Sequence, residues 1–341
     1  NKMLLVVVLA CFFNSVLSIG CVDNNGNPVD FWYGLKHPNG RDYSTYDENS
    51  ASFSFDQHFE NQGGSLSNTL DQLYFNSTNV AYLFANDDTP DNHLASGGAH
   101  LKTVMAFDAQ QGFWLIHSVP RFPVGVVEYL KNGYEYPQRE TRYGQSFLCL
   151  TLSSTMFETV AKALYLDGPQ IYDSNMPASF ASAFPNFVQV INGAHSTIPN
   201  ADVFSITTVG GRSYTLFAKT PFWGKELYED LVAPTFKDGL FTETWLNGRG
   251  NLGSYCRPYS VMDIKHVRLP DGVDWKDSQD HAKWAITQNK TITCVGDINR
   301  QHGQFKRGGG TYCINDAKVY NAFKTLITEY NHTCHGNRPW H

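Results

Sequence analysis

His100-Leu101-Lys102-Thr103-Val104-Met105-Ala106-Phe107-Asp108 is echoed late in the chain by His281-Ala282-Lys283-Trp284-Ala285-Ile286. In both stretches a histidine and a lysine stand two residues apart ahead of an apolar run. On a strand, residues i and i+2 point to one face, so each pair is expected to project together. The likeness extends outward. A helical pattern (Leu66 to Leu73) and an apolar run (Val80 to Phe84) precede the first copy. A turn at Gln111-Gly112, a strand from Phe113 to Ile116 and a polar end at His117-Ser118 follow it. Around the second copy stand a helical pattern (Trp223 to Leu231), a strand (Leu240 to Leu246) and a turn at Gln288-Asn289-Lys290. A strand from Thr291 to Val295 then ends at Gly296-Asp297-Ile298-Asn299. Each half closes with a six-residue Gly-to-Cys segment leading into a helical pattern: Gly144 to Cys149 before Ser154–Leu166, and Gly308 to Cys313 before Ala317–Tyr330.

Strands alternating with helices predict an α/β fold of two similar lobes with mixed β-sheets flanked by helices, packed as one body. The Pro-containing stretch from Asp173 to Asp202 reads as the crossover, giving lobes over 21–195 and 196–341. The loops Asp87 to Gly98 and Lys131 to Tyr143 are polar and expected to be exposed. The chain has 341 residues, 42% hydrophobic, 17% charged and 14% aromatic. That length suits about two domains. The aromatic content excludes intrinsic disorder, and the single long apolar run excludes a helical membrane bundle.

That run, Leu4 to Phe13, follows Lys2 and ends near small residues, the pattern of a secretory signal peptide over residues 1–20. It falls short of the ~20 residues a spanning helix needs, so no membrane anchor is expected. Six cysteines remain beyond it: Cys21, Cys149, Cys256, Cys294, Cys313 and Cys334. In a secretory chain they imply three disulfides, with about 15 pairings open. Asn76, Asn289 and Asn331 head glycosylation sequons. The cysteine and histidine spacings match no zinc pattern; neither metal nor cofactor is expected. The net charge is −6, and protonating all twelve histidines would carry it to +6. An acidic compartment thus turns a phosphate-repelling chain into an attracting one.

If the two halves are related by a pseudo-twofold axis, His100, Lys102, His281 and Lys283 converge. Two imidazoles flanked by two ammonium groups suit in-line displacement at a phosphodiester. A neutral histidine attacks phosphorus, a protonated one gives its proton to the leaving oxygen, and the lysines neutralise the non-bridging oxygens. His117, Ser118, Asp297 and Asn299 at the following strand ends are placed to orient a ring or bind phosphate. Arg121, Arg300, Lys306 and Arg307 are candidate groove cations, contacting phosphates with little base readout. The run Gly308-Gly309-Gly310 offers backbone N–H groups as a phosphate cradle.

These motifs resemble the deoxyribonuclease II family. The resemblance rests on His100-Leu101-Lys102, Gly112 to Pro120, Tyr143-Gly144-Gln145, Asp280 to Trp284, Thr293 to Arg300 and Arg307 to Cys313, and covers Cys21 to Cys334. It implies a monomer with an internal pseudo-dimer of two phospholipase D-like lobes. It implies acid, metal-independent endonucleolysis of double-stranded DNA to 3′-phosphate and 5′-hydroxyl ends, by a secreted or lysosomal protein. It further implies the pairings Cys21–Cys149, Cys256–Cys334 and Cys294–Cys313. On the family pattern His281 is the essential histidine and His100 its partner, with Lys102 and Lys283 on phosphate and His117 nearby. Two places depart from that pattern: Leu101 and Thr103 replace a threonine and a glycine, and Leu35 replaces a tyrosine before Lys36. These changes motivate a second reading, a secreted DNA-binding effector with lost or weak catalysis. A phospholipid phosphodiesterase of the same fold is a third.

Overall fold

The computed structural model describes residues 18–57, 59–60, 63–91 and 98–334. The signal-peptide reading, apart from Ser18 to Gly20, lies outside the described residues, as does most of the second half of the loop Asp87 to Gly98. A small pair, β1 (Cys21–Val22) and β2 (Pro28–Val29), opens the fold. The first large sheet holds β3 (Phe31–Lys36), β4 (Tyr43–Asp47), β5 (Ser54–Asp56), β6 (Ala81–Asn86), β7 (Lys102–Phe107), β8 (Gln111–His117), β9 (Gln145–Ser153) and β10 (Ile171–Asn175). The second holds β11 (Ala201–Thr207), β12 (Ser213–Lys219), β13 (Leu240–Glu243), β14 (Val261–Arg268), β15 (Asp274–Lys276), β16 (Trp284–Thr287), β17 (Ile292–Gly296), β18 (Gly309–Asn315) and β19 (Ile327–Tyr330). The helices are α1 (Ser65–Asn76), α2 (Val126–Asn132), α3 (Met156–Asp167), α4 (Ala178–Ala181), α5 (Pro185–Ile191), α6 (Ala233–Phe236) and α7 (Ala317–Lys324). The fold is α/β, with an antiparallel first sheet and a second sheet that also contains the parallel pair β13–β14.

The neighbour order β6-β7-β8-β9-β3-β4 in the first sheet is matched by β13-β16-β17-β18-β12-β11 in the second. Each His-x-Lys stretch therefore feeds the corresponding strand, β7 or β16. Alternate residues of these strands pack into separate apolar bodies. Trp114 and Ile116 of β8 face the second sheet, together with Phe157, Val160 and Leu164 of α3 and Phe323 of α7. Phe113 and Leu115 pack outward under Leu66, Leu70 and Leu73 of α1. Phe217 and Ala285 face a third body with Leu227 and Val232. Because both faces are covered, the central strands read as unbroken apolar runs rather than alternating ones. The sheets meet where Tyr33 and Tyr214 share a hydroxyl hydrogen bond of 3.1 Å and where Trp114 packs edge-on to Tyr312 at 4.6 Å.

The structure contains the disulfides Cys21–Cys149, Cys256–Cys334 and Cys294–Cys313. The first closes a separation of 128 residues, a constraint on the unfolded chain on the order of 4–5 kcal/mol. Asn76 and Asn289 are exposed and Asn331 is half-buried; the Asn289 amide donates to Asp238.

Several elements differ from the sequence expectation. The helical pattern Ala317–Tyr330 stops at Lys324, and β-branched Ile327 and Thr328 pair with β14 instead. The pattern from Trp223 turns at Gly224 (φ +73°) and becomes helical only from Leu227. His100 and His281 precede their strands, which begin at Lys102 and Trp284, because their backbone N–H groups are taken by the other half of the molecule.

Candidate functional site

Two glycine segments cross to the opposite half. The His100 N–H donates to the Gly308 carbonyl (2.7 Å), and the His281 N–H donates to the Gly144 carbonyl (2.8 Å). Gly308 in turn donates to Gly98 (3.1 Å) and Gly144 to Gln279 (2.8 Å), so each crossing is a short parallel bridge. The approach is too close for a side chain at Gly308, where a Cβ would lie 1.8 Å from the Asp167 carbonyl oxygen. The histidine on one half is thereby carried by the strand entrance of the other.

The rings are held in the same exchanged manner. His100 Nδ1 lies 2.7 Å from the Asp297 carbonyl, and His281 Nδ1 lies 2.9 Å from the Ser118 carbonyl and 3.1 Å from Gln145 Oε1. A carbonyl oxygen only accepts, so in both rings Nδ1 carries the hydrogen and Nε2 keeps its lone pair. Ser118 and Asp297 thus act on the imidazoles through their main chains. The Ser118 hydroxyl donates to Gln145 Oε1 (2.6 Å) and accepts from the Ser146 N–H (2.9 Å), fixing that strand end. Trp245 packs its ring edge-on against His281 at 5.1 Å.

The lysines complete the cluster. Lys102 is buried and pairs with Asp87, whose other oxygen accepts from Arg307 at 3.0 Å. Burial alone would raise the Asp87 carboxyl, but Lys102, His100 and Arg307 hold it far below the carboxylate range. Lys283 is buried, donates to the His281 carbonyl at 2.5 Å, and is pushed well below its ordinary value by burial and by Lys102. Enclosure, opposed by Asp87 and reinforced by both lysines, lowers His100 to about 3. Enclosure, Lys283, Lys102 and His100 likewise depress His281. The structure therefore brings His100, Lys102, His281 and Lys283 into one cluster whose charges act on one another.

The remaining candidates divide. His117 is buried between Phe122 and Phe147; its Nδ1 accepts from the Val119 N–H (3.3 Å), and among the described residues its Nε2 has no hydrogen-bond partner. Burial and Lys102 lower it to about 3. Asn299 is buried and accepts from the Trp245 N–H (3.4 Å), one residue removed from the rings. The Asp297 carboxyl accepts from the Tyr312 hydroxyl (3.0 Å), and burial pushes it up to about 7 despite Tyr312 and Lys102. Arg300 is not a groove residue: it is fully buried between Glu229 and Asp263. Arg121 is tied to Asp88 at 3.0 Å and Arg307 to Asp87, leaving Lys306 as the exposed candidate. The Gly308-Gly309-Gly310 run is no open cradle, because its backbone is paired with Gly98 and β12. Thr103 sits in an ordinary strand position, donating to the Leu115 carbonyl and accepting from the Trp114 indole, both at 2.8 Å.

Sequence reasoning missed the roles of Asp87 and Trp245, which lie in irregular segments without a motif. Gln145 stands in the sequence only as part of a motif; its buried Nε2 has no partner among the described residues and adjoins the His281 ring support. Among the described residues, no group of three or more His, Cys, Asp or Glu side chains is placed to hold a metal ion.

A family model described as Deoxyribonuclease II matches residues 20–333. The chain is 33% identical to Plancitoxin-1 of Acanthaster planci, covering 96% of both chains. It is 33% identical to human deoxyribonuclease-2-beta, covering 92% of this chain and 91% of the relative. With pig (Sus scrofa) deoxyribonuclease-2-alpha the identity is 30%, covering 94% and 93%. With the family model spanning nearly the whole chain and these relatives matched end to end, the chain belongs to the deoxyribonuclease II family.

Proposed function

We propose that this protein is an acid, metal-independent endonuclease that hydrolyses double-stranded DNA to 3′-phosphate and 5′-hydroxyl ends, with His100 and His281 as nucleophile and general acid. The observation that carries the reading is the exchanged support of the two rings, which occupies Nδ1 of each and leaves Nε2 without a hydrogen bond among the described residues, beside two buried lysines. One neutral Nε2 attacks phosphorus, the P–O5′ bond breaks, and the proton on the second Nε2 passes to O5′. The second ring, now neutral, takes a proton from water as the water oxygen bonds phosphorus. The P–N bond breaks and its electron pair returns to the first ring. Lys102 and Lys283 offset charge on the non-bridging oxygens.

The two halves, 21–195 and 196–341, are read as pseudo-symmetric phospholipase D-like lobes of one monomer, supported by their shared strand order. Residues 1–20 are read as a leader to the secretory route, lysosomal or exported. Three disulfides suit that route, and no helix among the described residues is long and apolar enough to cross a membrane.

The test is plasmid nicking at about pH 5 in chelator. Alanine at His281 or His100 is expected to lower the rate by about 10²–10⁴-fold. Full cleavage by either variant, or an absolute need for magnesium, removes the mechanism. DNA retention at acid pH without any nicking by the wild type would leave the binding-effector reading in its place.

A further inference from the structure

Two buried lysines outside the histidine–lysine cluster occupy matching places. Lys36 ends β3 and is paired in register with Gln145; Lys219 ends β12 and is paired with Gly309. Both are fully buried, and among the described residues neither is ion-paired to a carboxylate within 4 Å. Their ammonium groups are spent on backbone carbonyls. Lys36 donates to His37 (2.7 Å), Thr141 (2.9 Å) and Tyr143 (2.8 Å); Lys219 donates to Gln304 (2.8 Å) and Arg307. Each set of acceptors includes the residue just before a crossing glycine, Tyr143 before Gly144 and Arg307 before Gly308. Those glycines accept the backbone N–H groups of His281 and His100.

We propose that Lys36 and Lys219 are a matched pair of positioning residues, each clamping the loop that sets the main chain of one cleft histidine: Lys36 for His281 and Lys219 for His100. An ammonium offers three donors in a compact fork and no acceptor. Buried, it holds several carbonyls in one arrangement that a neutral side chain of the same length does not. Burial lowers both lysines to about 8, so both are charged at acid pH. The inference rests on the reading of His100 and His281 as nucleophile and acid.

The experiment compares Lys36→Met and Lys219→Met with wild type on plasmid DNA and on an oligonucleotide ending in a 3′-p-nitrophenyl phosphodiester. On plasmid, kcat is expected to fall about 100-fold, the scale of an ångström of misplacement, with KM nearly unchanged. Lys36→Gln and Lys219→Gln keep N–H donors and recover part of the loss, and they supply the readout where a Met variant does not fold. A p-nitrophenolate leaves without a proton. Hydrolysis of the phosphoenzyme still needs that ring as base, so the first step is read alone, as the burst of p-nitrophenolate: there the variant acting through the acid regains most of its rate, while the variant acting through the nucleophile does not. Wild-type kcat in both Met variants, or a p-nitrophenolate burst slowed in both as much as plasmid cleavage, overturns the proposal. Full cleavage after alanine replacement of either histidine instead overturns the mechanism beneath it.

Discussion

Arg300 shows how a charge adjacent to a motif is assigned by its surroundings. It follows Asp297-Ile298-Asn299 in sequence, yet its guanidinium is fully buried and divided between Glu229 and Asp263, with a further bond of 3.0 Å to the Gly253 carbonyl. Replacing it with methionine takes the guanidinium away from two buried carboxylates, a cost of about 3–5 kcal/mol. Urea unfolding of Arg300→Met should show that loss. A normally stable variant with weakened DNA affinity would return Arg300 to the groove. Thr103 makes the opposite point: a substitution at a glycine position of the family pattern is accommodated, because the residue lies in a regular strand and its hydroxyl is fully used.

At the scale of elements, the decisive pieces are the two crossing segments rather than the sheets they join. Gly308 leads into β18 with its Cα facing the end of α3, where a Cβ would meet the backbone of Asp167. That contact is with main chain, which cannot rotate away. Gly308→Ala is expected to shift the crossing, with a stability loss of about 1–3 kcal/mol and a larger proportional loss of nicking. Thermal melts alongside plasmid nicking check this; an alanine variant that melts and cuts like wild type would show the crossing to be pliable. At Gly144 an added Cβ would instead lie 2.5 Å from Asp280 Oδ1, a side-chain atom rather than main chain.

Across the whole molecule, burial sets the response to pH. The sequence offered twelve histidines as one reservoir of positive charge, but His37, His100, His117 and His281 are all lowered, chiefly by burial. Each takes up its proton at a lower pH than an exposed histidine does, so the swing to +6 lags there. On the proposed mechanism a protonated acid then depends on the phosphate, whose negative charge raises the ring's affinity for a proton. The pH limb of kcat/KM, which reports the free enzyme, is expected well below 6.5, and the limb of kcat, which reports the complex, above it. Coincident limbs near 6.5 would contradict this. Buried carboxyls work in the other sense: Glu226 is pushed up to about 8 by burial and by Glu229. Its stabilising proton is fully held below the unfolded value near 4.5 and lost as pH rises through about 8. Relative to Glu226→Gln, the wild type should therefore lose stability between about pH 4.5 and 8, read from melting midpoints; parallel curves would refute it.

The sequence alone carried the repeated order, the α/β class and the clustering of His100, Lys102, His281 and Lys283, because covered strands leave apolar runs and the two His-x-Lys stretches recur in the same local order. It also carried the family, through motifs spread from Cys21 to Cys334. Only the tertiary structure decided that each histidine is held by the opposite half. A backbone carbonyl such as that of Ser118 or Asp297 is common to every residue type and leaves no mark in sequence. The same holds for Lys36 and Lys219, whose partners are main-chain oxygens, and for Arg300, whose role follows from burial. Burial is a property of the packed whole, and no window of neighbouring residues contains it.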